Sequence, residues 1–150
     1  VNKLTVIRDA IEARLKGMAP TVYHHPIVTV SKSPDNIAGV ARAKFPRAYL
    51  LTPHGKSIRM VSGQDLKFDV SAPFTVEVWR YLRDGEDEQT VADEIAADII
   101  KLIYSDEWWG AQADAGGTTI REVTYHYFIT AMTMVRVQFD VNFWLDAKNP

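Results

Sequence analysis

The sequence predicts an α+β domain, a mostly antiparallel or mixed β-sheet with two main amphipathic helices packed on one face. Three observations predict it. From Val123 to Leu145 every odd position is apolar except Thr133, while the even positions are more polar, with Thr124, His126, Arg136, Gln138 and Asp140 among them. That period of two belongs to strands with one face in a core. Two other segments repeat apolar residues three and four apart, the spacing of a helical stripe. Between them lie short alternating runs separated by turn residues, which favours antiparallel neighbours.

The first helix runs from about Lys3 to Lys16. Leu4, Ile7, Ile11 and Leu15 form its stripe, and Arg8–Glu12 and Glu12–Lys16 form charge pairs on its outer side. Asn2 caps its start, and Gly17 with Pro20 ends it. A short β run, Ile27–Val30, follows. Residues 31 to 46 form a polar, small-residue connection made locally basic by Arg42, Lys44 and Arg47, with a helical turn around Ile37–Ala43. Its length favours a functional or partner-binding segment.

A meander comes next, with strands over Arg47–Thr52, Ser57–Ser62, Leu66–Ser71 and Phe74–Leu82. Pro53-His54-Gly55, Gly63-Gln64-Asp65 and Ala72-Pro73 separate them. The second helix spans roughly Asp87 to Tyr104. Asp87 caps it, and the acidic first turn suits the helix dipole. Val91, Ile95, Ile99 and Leu102 are its core stripe, while Asp93, Glu94 and Asp98 fall on its solvated side. A second long connection, residues 105 to 118, carries Trp108-Trp109 in a Gly-rich context.

The closing β block is too long for one straight strand. Fully extended it would run on the order of 75 Å at about 3.3 Å per residue, against a domain diameter near ~40 Å. The chain must fold back or reach a partner. Thr133 alone breaks the odd apolar pattern, so a reversal or bulge is expected at Thr130-Ala131-Met132-Thr133. The predicted strands are about 119–130 and 133–145, the second near-central or shared across a subunit boundary.

Composition narrows the chemistry. The 150 residues, numbered 1–150, read as one domain. The absence of cysteine excludes disulfides, thiol catalysis and thiolate metal sites. A net charge of −2 with mixed signs argues against a dominant nucleic-acid surface. No apolar run approaches the ~20 residues of a membrane span. The opening alternates charge with apolar residues and is not read as a signal peptide.

No catalytic, cofactor or metal motif emerges. Leu50-Leu51-Thr52-Pro53-His54-Gly55-Lys56-Ser57 ends like a phosphate loop, but it lacks the first glycine and a following helix, so it reads as a hairpin turn. His24 and His25 are adjacent and so point to opposite strand faces, while His54 and His126 stand alone. The carboxylates of Asp84, Glu86, Asp87 and Glu88 are explained by a turn and a helix start. Glu77 and Asp140 sit on strands where they could line a cleft. Of Trp108 and Trp109, one can plug the core while the other faces a partner; packing and partner contact both stay open.

The order of parts resembles the tail-terminator (tail-completion) proteins of long-tailed bacteriophages and, more loosely, their head–tail neck proteins. An amphipathic helix, IRDAIEARLKG, opens the chain. A meander ending in FTVEVWRYL follows, then a helix, TVADEIAADIIKLI, a loop, and a closing block, VRVQFDVNFWL. The resemblance implies a non-catalytic virion protein: a ring, expected to be a hexamer, that caps the tail tube and docks the head. It implies as partners further copies of the chain, the tail-tube protein and a neck or stopper protein, and assembly in the host cytoplasm. A neck stopper or tail-tube subunit is the nearest alternative. The alternative of another class is a small-molecule enzyme or ligand-binding domain, with Tyr125, Tyr127, Trp79 and Tyr81 lining a pocket near Glu77, Asp140 or His126. The candidate partner or subunit interface comprises Arg42, Lys44, Arg47, Trp108, Trp109, Arg136 and Trp144, chosen as basic or aromatic groups in the connections and closing strands.

Overall fold

The computed structural model of the chain describes residues 2–33, 36–51, 59–64, 67–128 and 130–146. Two long helices, α1 (Lys3–Lys16) and α2 (Glu88–Tyr104), lie on one face of a sheet. The strands are β1 (Thr29–Ser31), β2 (Arg47–Leu51), β3 (Arg59–Gln64), β4 (Lys67–Tyr81), β5 (Gly117–Phe128) and β6 (Met132–Asp146). Their order is β1-β2-β4-β6-β5, and β3 also pairs with β4. Among the described residues only β1 with β2 is a parallel pair, so the sheet is mixed and mostly antiparallel. The predicted α+β class holds.

Both helices start and stop where their sequences say. The Asn2 side chain accepts the Leu4 N–H at 2.8 Å, and Gly17 N–H returns to Ala13 O at 3.0 Å. Asp87 accepts the Thr90 N–H at 2.9 Å. The C-terminal ends are clipped together by Arg14, whose guanidinium donates to Leu102 O at 3.3 Å and Asp106 O at 2.8 Å. A cation there also complements the negative end of α2. Glu12 pairs with Lys16 at 2.6 Å as expected, but its other oxygen takes Lys32, and Arg8 turns to Asp9 instead.

One core joins the layers. Ile7, Ile11 and Leu15 of α1 and Val91, Ile95, Ile99 and Leu102 of α2 pack on Val70, Phe74, Val76 and Val78 of β4 and Val135, Val137, Phe139 and Val141 of β6. The strand residues are even-numbered in β4 and odd-numbered in β6, as one face of each requires. Each such aliphatic or aromatic side chain contributes about 1.5–3 kcal/mol through burial.

The closing block does fold back. Thr130 and Ala131 form the turn between β5 and β6, and Ala131 takes φ 56°, a left-handed conformation without a glycine. Its carbonyl is used, accepting Leu82 N–H at 2.8 Å. β6 then runs between β4 and β5, the near-central place expected for it. Because β4 and β5 are parallel with β6 antiparallel between them, α2 serves as the crossover from one to the other.

Four expectations need correction. Ala72-Pro73 is no turn: β4 is one strand of 15 residues, paired with β6 from Lys67↔Asp146 to Tyr81↔Met132. On its other edge, β3 reaches only Ser71 and β2 begins at Thr75. Among the described residues Ala72–Phe74 therefore lie on a local sheet edge, where a proline is tolerated. Gly63 and Gln64 belong to β3 rather than to a turn. The odd face is not buried throughout the closing block either. Tyr125 and Tyr127 are 43% and 53% exposed, although the Tyr125 hydroxyl still meets Asp93 of α2. A bulge between Ile120 and Glu122 also shifts the parity of β5, so that even Ile120 and odd Val123 both pack on the core. Finally, Asp98 is not on a solvated side but is 2% exposed. The turn Pro53-His54-Gly55 and most of the Leu50–Ser57 segment lie outside the described residues.

Candidate functional site

The sheet face turned away from both helices is built from the alternate set of strand positions. Register lines its side chains into rows. Tyr81, Met132 and Phe128 form the row at the hairpin end. Next come Arg47, Trp79, Met134 and His126, then Tyr49, Glu77, Arg136 and Thr124, then Leu51, Thr75, Gln138 and Glu122. Farther along lie Pro73, Asp140 and Thr119.

Chemistry changes along these rows. The hairpin end is aromatic and methionine-rich. The Trp79 and Phe128 rings stack at 4.9 Å, and His126 lies 4.4 Å from Phe128. The middle is ionic: Arg136 reaches Glu77 Oε2 at 2.7 Å, and Trp79 Nε1 donates to Glu77 Oε1 at 3.3 Å. The far end is polar until Trp144, with Arg121 and Asp140 paired at 3.1 Å. Half-exposed ion pairs of this kind set register more than they add stability.

The sequence-predicted interface residues fall in three places. Arg47, Arg136 and Trp144 share the helix-free face, but Trp144 lies eight positions along β6 from Arg136, about 26 Å away. Arg42 and Lys44 lie on a 3₁₀ turn over residues 42–44, with the Arg42 guanidinium 4.4 Å from the centre of the Tyr81 ring. Trp108 and Trp109 lie in the connection after α2 and divide as one reading allowed. Trp108 is 45% exposed, whereas Trp109 is 2% exposed. Trp109 donates to Thr118 Oγ1 at 2.8 Å, and the Arg14 guanidinium covers its ring at 3.8 Å. Trp109 is thus a core residue and unavailable to a partner. The four aromatics of the alternative pocket do not meet: Tyr125 and Tyr127 stand on the helix side of the sheet, Trp79 and Tyr81 on the other. Glu77 and Asp140 are each engaged by an arginine, on the same face as His126.

Two polar clusters were not legible in the sequence. In the first, buried Asp98 accepts the backbone N–H groups of His24 at 3.1 Å and His25 at 2.7 Å, and contacts His24 Nδ1 at 3.2 Å. It pins the segment after α1 onto α2. Burial, then the positive Arg80, pushes the His25 imidazole below its ordinary value. His25 Nε2 sits 3.3 Å from Glu94 Oε2 without hydrogen-bonding geometry and is otherwise buried. In the second, Arg80 and Glu86 form two parallel bonds of 2.9 Å each. The Arg80 hydrogen bonds hold the Glu86 carboxyl well below its usual range, at about 2. Among the described residues no group of three His, Asp or Glu side chains is arranged to hold a metal ion, and no helix is long and apolar enough to cross a membrane.

The fold and this surface define the chain as a two-layer α+β domain with both helices on one side of a long-stranded sheet. No protein-family model matches it, and no curated protein sequence matches it.

Proposed function

We propose that the chain is a structural subunit of a bacteriophage tail, a tail terminator that closes into a ring on the tail tube and presents a docking surface for the head. One observation carries most of the support: the 15-pair β4–β6 ladder, at roughly 50 Å, is a stiff wall with helices on one side only. Its other face joins aromatic, ionic and polar rows; Tyr49, Thr75, Met132 and Met134 are buried within them, which leaves Trp79, His126, Arg136, Gln138 and Trp144 for contacts that need register. Exposed Trp108 and Trp144, Tyr125 and Tyr127 supply further anchors around the rim. A ring uses two different patches of each subunit, repeated until the rotation closes.

The partners on this reading are further copies of the chain, the tail-tube protein and a neck or stopper protein. Negative-stain images of the purified chain separate the related roles. Closed rings support a terminator. Long cylinders favour a tail-tube subunit. Isolated single globules at every concentration, in the presence of tail tubes as well, contradict both.

A further inference from the structure

At the hairpin end of the sheet a cleft of about 420 Å³ opens between three segments. Arg42, Phe45 and Pro46 come from the connection before β2, Arg80 to Asp84 from the end of β4 and the turn after it, and Ala131 from the β5–β6 turn. The volume falls within the range of small-molecule sites. Its wall is fixed: Phe45 packs edge-on against Tyr81 at 4.9 Å, and Leu82 is tied to Ala131 through the backbone.

The charges around it are unevenly matched. Glu86 is consumed within the wall, its two oxygens taken by Arg80 and the Arg83 backbone N–H. Asp84 is the one carboxylate in the lining. Arg42 and Arg83 are exposed and make no ion pair with any carboxylate among the described residues, although the Arg83 charge adds to the field that lowers the Glu86 pKa. Arg42 is nevertheless held in place, lodged over the Tyr81 ring. A guanidinium oriented by an aromatic face, with its N–H edge left free, suits bidentate capture of an oxyanion.

We propose that this cleft is a binding site for a small oxyanion-bearing ligand, a phosphate or a carboxylate, gripped by Arg42 and Arg83 above the Phe45–Tyr81 floor. The site stands independently of the ring reading, since it requires only one chain.

Amide chemical-shift titrations with inorganic phosphate and, separately, with glutarate test it, at ionic strength held constant with sodium chloride. Saturating shifts confined to Arg42–Phe45, Leu82–Asp84 and Ala131 are expected with at least one probe. Saturation by phosphate alone identifies a phosphate ligand; saturation by glutarate alone identifies a carboxylate. The double variant Arg42→Gln/Arg83→Gln weakens that binding by about tenfold or more, while Arg121→Gln on the edge strand leaves it unchanged. Both altered arginines are exposed, and an unchanged circular dichroism spectrum shows that the variant still folds. Absence of saturation by either probe, or saturation that survives the double variant, overturns the proposal.

Discussion

Replacing Glu86 with glutamine strips the Arg80 guanidinium of its counter-charge while keeping the shape of the side chain. The Arg80 side chain is 8% exposed and that of Glu86 26%. Exposed pairs contribute about 0–1 kcal/mol, and breaking a fully buried pair costs about 3–5 kcal/mol. This pair lies between, so the expected loss is roughly 2–3 kcal/mol. Proton linkage gives a similar figure. Lowering the Glu86 pKa from 4.5 to about 2 corresponds to at most about 3.4 kcal/mol, which solvent at its exposed quarter reduces to ~2 kcal/mol. A depressed carboxyl pKa stabilises the fold above its unfolded value and loses that effect as pH falls toward its folded value. The stability gap between wild type and Glu86→Gln is therefore full at neutral pH and narrows from pH 4.5 toward about 2. Urea denaturation across this range measures it directly, and a melting shift of roughly 5–10 °C accompanies the neutral-pH loss. A gap below about 0.5 kcal/mol at neutral pH, or one that does not change with acid, refutes the reasoning.

Trp109→Ala costs about 3–5 kcal/mol by cavity formation, and it removes the donor to Thr118 Oγ1, which keeps its own bond to Glu107 O. Trp108→Ala stays within about 0.5 kcal/mol; thermal melts of the two variants read the contrast. Asp98→Ala leaves the His24 and His25 N–H groups without an acceptor and costs roughly 2–4 kcal/mol, while its amide hydrogen exchange speeds up at those two positions. Ala131→Gly relieves the positive φ and, net of the extra chain entropy it adds when unfolded, stabilises by a few tenths to about 1 kcal/mol, measured by chemical denaturation.

The elements whose signals are periodic were legible from sequence. α1 and α2 carry long apolar stripes with local caps at Asn2 and Asp87, so both extents and buried faces follow from residues close in the chain. The β5–β6 reversal was legible only indirectly, from strand length and the single break at Thr133, because Ala131 gives no glycine or asparagine signal. Pro73 misled for a tertiary reason: its tolerance in β4 depends on where β2 and β3 stop, which local sequence does not encode. Asp98 misled in the same way, since a carboxylate on a helix looks solvated until backbone donors from residues 24 and 25 are brought to it. Of the interface candidates, Arg42, Arg47 and Arg136 stand out in the sequence by charge alone. Their different surroundings, an aromatic face for Arg42 and a carboxylate for Arg136, arise only once the sheet is assembled.

The central claim is assembly into a closed ring. Light-scattering mass across a concentration series, with and without tail tubes, tests it most directly. Ring closure gives one discrete oligomer, a hexamer, whose mass stops growing as concentration rises. A strict monomer under all these conditions, or a mass that grows without limit, would contradict it.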